Sequence, residues 1–128
     1  MPIHHNMLGA VPTDTERTFV ALANEDLGTQ SCSVHENVLN PSAVVPWHQH
    51  PVEEVIVCLS GVGECTFQGG APEQYRSGSV LVIPANTPHT LRNVGSDRLC
   101  QLAVLGGVSP GTQWLEPEGS VSKRGPAA

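Results

Sequence analysis

The stretch HQHPVEEVIVCLSG, residues 48–61, sets two histidines one residue apart and, close behind them, two adjacent carboxylates. Side chains alternate across a β-strand, so His48 and His50 leave one face together, as two neighbouring coordination positions on a metal require. Neutral imidazole is a strong ligand for first-row divalent metals, and a carboxylate adds charge and hardness. Beyond Pro51, the run EVIVCL reads as a strand with Glu54, Ile56 and Cys58 on one face and Glu53, Val55, Val57 and Leu59 on the other. Alternation alone does not say which face is interior, because Pro51 interrupts the count from the histidines.

Outward from this stretch the chain is a series of short β-rich runs parted by Gly, Pro, Asn and Ser, with almost no helical periodicity. The candidate strands are 18–22, 32–39, 43–50, 54–59, 63–68, 74–77, 79–84, 89–94 and 99–106. Short strands of this kind in 128 residues suit one small all-β barrel of antiparallel strands. Residues 1–17 read as an N-terminal arm, 18–108 as the barrel and 109–128 as a C-terminal extension, whose tail EPEGSVSKRGPAA is expected to fray. If Gly61 and Val62 form a hairpin turn, Cys58 lies opposite Cys65 and Ile56 opposite Phe67, and the two thiols pack together.

Charge narrows the partners. A net charge of -6 argues against nucleic acid or an anionic membrane surface, which call for a basic face; only Lys123 and Arg124 are adjacent cations. No apolar run approaches a membrane span, and MPIHHNMLGAVPTDTER lacks the basic start and apolar block of a secretory signal, so the expected location is cytoplasmic. Cys32, Cys58, Cys65 and Cys100 form no CxxC pair and are expected to act as small buried apolar residues in a reducing compartment.

A second segment completes the pattern. In GSVLVIPANTPHTLRN, residues 78–93, an apolar run stops at Pro84, turns through Ala85-Asn86-Thr87-Pro88 and delivers His89 into a new strand. Asn86 is one of the few residues other than Gly that tolerates a left-handed turn conformation.

Together the two segments closely resemble the cupin superfamily. Its first motif, HxH, then Glu, then Gly, is matched by His48, His50, Glu54 and Gly61; its second by Gly78, Pro84, Asn86, His89 and Asn93. The resemblance covers about residues 42–94. Ser42 stands where the family usually has Gly, Asn86 replaces the inner Gly of the second motif, and Ser79 occupies a position where many relatives have Asp.

This resemblance implies a double-stranded β-helix, or jelly-roll, barrel in a small single-domain cupin. It decides between the two carboxylates: Glu54 becomes a ligand and Glu53 goes to the rim or surface. The implied metal ligands are His48, His50, Glu54 and His89, holding one divalent metal per chain, Fe2+ or Mn2+ ahead of Ni2+ or Zn2+. Such a site keeps a net charge of about +1 and two neighbouring open positions in octahedral geometry. Metal-dependent chemistry on a small oxygen-rich molecule follows, first a dioxygenase of a phenolic or diketone compound. A non-redox isomerase, cyclase or lyase comes second and a non-catalytic binding module third. Glu54 is the one acid placed for a catalytic role.

Other candidates receive structural readings. His4, His5 and His35 lie outside the motifs and are expected at the surface or in the core; Trp47 and Trp114 are expected in packing or interfaces. Arg76, Arg92 and Arg98 are expected on the solvated surface, and Asn93 as a hydrogen-bonding brace of the barrel wall. The runs AVVPW, EVIVCL and SVLVIP are apolar on both faces, so Val55, Val57 and Leu59 need cover, which predicts a homodimer.

Overall fold

The computed structural model describes residues 3–14 and 16–117; the tail expected to fray, from residue 118 on, and the Lys123–Arg124 pair lie outside the described residues. The strands in chain order are β1 (Arg17–Ala23), β2 (Ser33–Leu39), β3 (Val44–Gln49), β4 (Glu54–Ser60), β5 (Val62–Phe67), β6 (Glu73–Arg76), β7 (Val80–Ile83), β8 (His89–Asn93), β9 (Leu99–Leu105) and β10 (Gln113–Trp114). They pair antiparallel in two five-stranded sheets, ordered β1-β2-β9-β4-β7 and β10-β3-β8-β5-β6. The chain passes repeatedly from one sheet to the other, so the two close over a shared interior as a jelly-roll barrel. Among the described residues there is one 3-10 turn, Glu25–Leu27, and no α-helix. Leu39, Ile56, Ile83 and Leu99 are fully enclosed between the sheets and anchor the core.

Three features depart from the sequence reading. β4 and β5 do not form a hairpin: β4 pairs with β7 and β9, while β5 pairs with β6 and β8. Gly61 is a corner between sheets, with φ 92°, and a Cβ there would come within 2.5 Å of the Arg98 carbonyl oxygen, so both conformation and space demand glycine. Cys58 therefore neighbours Gln101 and Cys65 neighbours Leu91 and Glu73, and the thiols are not a cross-strand pair.

The second departure is a bulge. β3 pairs Val45 with Leu91 but His48 with His89, so three steps on β3 match two on β8. Strict alternation would send Val45 and His48 to opposite faces; the bulge turns both inward, where both are buried. The third is β10, which draws part of the expected extension into the second sheet, with Gln113 opposite Gln49 and Trp114 opposite His48.

The two ends of the chain treat the outer surface differently. The Glu36 carboxylate accepts from the Gly9 and Ala10 amides at 3.0–3.1 Å, which lays the arm along the outer side of β2. Farther across the same sheet no such cover exists among the described residues: Val80 and Val82 are 59% and 60% exposed beside Val55 and Val57.

Candidate metal centre

Four side chains meet at one corner of the barrel. β3 carries His48, the residue just past its end is His50, β4 opens on Glu54, and β8 opens on His89. The first, second and fourth belong to one sheet and Glu54 to the other, so the cluster ties the sheets together. All four are buried, His89 completely, and one potential ligand atom from each lies within 4.8 Å of the others. Glu53, in contrast, is exposed.

Local backbone holds each imidazole from behind. His48 Nδ1 lies 2.7 Å from the Pro46 carbonyl oxygen, His50 Nδ1 2.8 Å from that of Gly111, and His89 Nδ1 2.8 Å from that of Thr87. A carbonyl only accepts, so each Nδ1 carries a proton and donates, and Nε2 is the nitrogen left for the cluster. The turn before β8 explains part of this placement. Asn86 sits at φ 55°, the left-handed region, and its amide donates to the His50 carbonyl at 2.7 Å, pinning the two motifs together. Ser42, at φ 70°, likewise adopts a conformation natural to the Gly it replaces. Asn93 braces the wall, donating to the Leu39 and Asp97 carbonyls and accepting from the Gly95 amide.

The front of the cluster is unsatisfied. Glu54 Oε1 lies 3.3 Å from His89 Nε2 and 3.7 Å from His50 Nε2, yet Oε1 and His89 Nε2 are buried without a hydrogen bond. Each unpaired buried polar group costs about 1–3 kcal/mol, and a charged one more. Burial, and then the neighbouring His89, push the His48 pKa down to about 3, so that ring offers a lone pair and no charge at neutral pH. Three imidazoles and one carboxylate facing a common point could hold a divalent cation, and the donor set fits one. No thiol joins the cluster.

The cluster opens on a cavity of about 410 Å3 between the sheets. Its lining adds side chains that the two motifs do not contain. His35, outside the four-donor cluster as expected, lines it from β2; its ring stacks on Phe19 with centroids 4.3 Å apart. Trp114 packs against the core, as expected, and also lines the cavity from β10, 5.2 Å from the His48 ring. Arg17, assigned to the arm, begins β1 and reaches the same cavity, whereas Arg76, Arg92 and Arg98 do not line it. The one available signal was alternation in β2, which puts His35, Asn37 and Leu39 on a common face.

A family model described as Cupin domain matches residues 36–105, more than half of the chain and inclusive of all four clustered residues. The chain is a cupin. Among curated proteins this cupin resembles dimethylsulfoniopropionate lyase DddQ of Ruegeria pomeroyi, 28% identical over 76 residues, or 59% of this chain and 38% of the lyase. The crystal structure of that lyase superposes with a TM-score of 0.72 at 23% identity, over 81% of this cupin and 54% of the lyase chain. The cupin thus spans about half or less of that relative. A protein with a double-stranded β-helix domain from Klebsiella pneumoniae superposes at TM-score 0.73 and 18% identity, covering 83% of this chain and 90% of its own. An oxalate oxidase gives 0.76 at 19%, covering 90% and 63%. The structural likenesses show the fold.

Proposed function

We propose that this cupin is a metal-dependent enzyme of the lyase or isomerase type, moving a proton on a small oxygen-rich substrate in the cavity. The observation that carries this reading is His35, an imidazole outside the ligand set that lines the cavity into which the cluster faces. Burial lowers its pKa, so it is neutral and basic at pH 7. Its Nδ1 is buried without a hydrogen-bond partner, and the backbone of Ala103 on β9 lies against the ring. The similarity to a lyase supports the same class.

In this reading His48, His50, Glu54 and His89 hold one divalent cation, Fe2+, Mn2+, Ni2+ or Zn2+. A cation so held supplies Lewis acidity to a carbonyl or carboxylate oxygen of the substrate. His35 accepts the proton from the carbon beside that polarised group. Returned to a neighbouring carbon, the proton completes an isomerisation; given to a departing group, it completes an elimination. Phe19 keeps the His35 ring in plane through the transfer. Glu54 acts as a ligand, and its buried carboxylate stabilises the cationic centre.

The dioxygenase first expected from the sequence is a second reading, favoured by a mixed nitrogen and oxygen donor set that would also suit Fe2+. Oxygen separates the two. Turnover of a panel of small hydroxy, keto and phenolic compounds by the Zn2+-loaded protein under strict anaerobiosis is the expected result. Activity that appears only with Fe2+ and consumes dioxygen would replace the first reading by the second. Tight ligand binding without turnover by either metal form would leave a binding module.

The assembly belongs to the same proposal. A second copy docked over Val55, Val57, Val80 and Val82 would bury the uncovered sheet face, and a homodimer is expected. Light scattering that returns the mass of one chain would overturn it. Four free thiols suit a cytoplasmic location.

A further inference from the structure

We propose that the substrate is a short organic carboxylate, its carboxylate held by Arg17 at the cavity mouth while a second oxygen reaches the four-donor cluster. This rests on the metal-site reading above and adds the chemical class of the ligand.

The cavity is electrostatically one-sided. Among the described residues Glu54 is its only carboxylate, and that group belongs to the cluster; its one permanent cation among them is Arg17. With a divalent ion among the four donors, the cavity carries two net positive charges in a protein whose overall charge is -6. Such a chamber selects anions against neutral compounds.

The Arg17 side chain lies at the exposed rim and makes two contacts there. Nη1 donates to the Val44 carbonyl at 3.2 Å, and Cζ sits 5.6 Å from the centroid of the Trp114 ring. The cation over the aromatic face and the backbone bond orient the guanidinium plane. Among the described residues no carboxylate lies within ion-pair distance of it, and the adjacent Glu16 does not line the cavity. The remaining N–H groups are those of a planar fork suited to a carboxylate. Burial lowers the Arg17 pKa, and a guanidinium stays charged through such a shift.

Trp114 bounds the length of the ligand. Its ring centroid lies 5.6 Å from the guanidinium carbon and 5.2 Å from the His48 ring centroid. These two steps bound the distance from anion clamp to ligand cluster, and a chain of a few carbons spans it.

The probe pair is 4-oxopentanoate and its neutral amide, which share a ketone and differ only in charge at the far end. Two readouts are taken, calorimetry on Zn2+-loaded protein and the Trp114 indole NMR resonance in metal-free protein. In the wild type the acid should bind about tenfold tighter than the amide, the effect of one charge-assisted contact at a partly solvated site. Arg17→Gln should lower that ratio several-fold, Arg17→Lys should keep more of it, and Arg92→Gln, remote from the cavity, should leave it whole. Equal binding of acid and amide by the wild type overturns the proposal, as does a ratio that Arg17→Gln leaves unchanged. Zn2+ stoichiometry is read in the same titrations. Failure to bind metal, with the Arg17-dependent acid preference intact at the indole, would sink the metal reading and support the anion site.

Discussion

The two ends of the barrel interior use the same kinds of polar residue to opposite effect. At one end Tyr75 donates to Gln101 at 2.8 Å, Gln101 to Asn37 at 2.7 Å, and Asn37 to the Thr18 carbonyl at 2.9 Å. That chain runs unbroken from Tyr75 to Asn37, which also borders the cavity, and Gly63 lies against the Tyr75 ring with no room for a Cβ. At the other end each imidazole is just as firmly bonded through Nδ1, but Glu54 Oε1 and His89 Nε2 are buried without a hydrogen-bond partner. A closed network contributes to the fold. An oriented network left open on one side spends stability on readiness for a ligand, and this contrast marks the functional end.

Filling or dismantling the open end should produce the largest effects. His89→Ala should abolish stoichiometric metal, an effect exceeding the roughly 10- to 100-fold loss typical of removing a supporting hydrogen bond. Glu53→Ala should leave metal content intact; inductively coupled plasma analysis of both variants decides, and the reverse result would transfer the ligand role to Glu53. In the wild type, saturating metal should stabilise the fold by about 2.7 kcal/mol at a free concentration one hundred times Kd, read by calorimetry.

An intermediate effect is expected at the closed end. Tyr75→Phe strands the Gln101 acceptor and should cost about 1–3 kcal/mol in urea unfolding while metal stoichiometry stays unchanged. If that substitution costs nothing in stability yet weakens metal binding, the division between the two ends fails.

The smallest effect, near neutral pH, concerns the thiols beside Tyr75. Burial first, then Glu54, push Cys65 up to about 12, and burial raises Cys58. With a folded pKa above the unfolded value, the Cys65 contribution to stability is complete below about 9 and is lost as pH rises toward 12. Cys65→Ala should flatten the alkaline decline over that window. Thiol titration of the native protein at pH 8 should modify the half-buried Cys32 and Cys100 and spare Cys58 and Cys65.

Legibility followed distance along the chain. His48, His50 and Glu54 lie within seven residues, and His89 follows a Pro-bounded turn, so spacing plus turn chemistry pointed to them. Even there alternation was insufficient: the β3 bulge changes which side chains face inward, and only the family pattern separated Glu54 from Glu53. The β4–β5 misreading has a related cause. A Gly between two strand-like runs looks alike whether the chain reverses within a sheet or crosses to the other, and the crossing at Gly61 is made by packing against Arg98 and Leu99.

What the sequence by itself determined is the barrel class and, through its resemblance to the cupins, the four residues that gather at one corner, because motif spacing and turn chemistry are local properties of the chain. Which residues share the cavity with those ligands was decided by tertiary structure alone. Arg17, His35 and Trp114 come from β1, β2 and β10, and only the order of strands in two closed sheets brings them to one wall. A cavity is a property of surfaces that meet, and no local rule of the chain records which surfaces those will be.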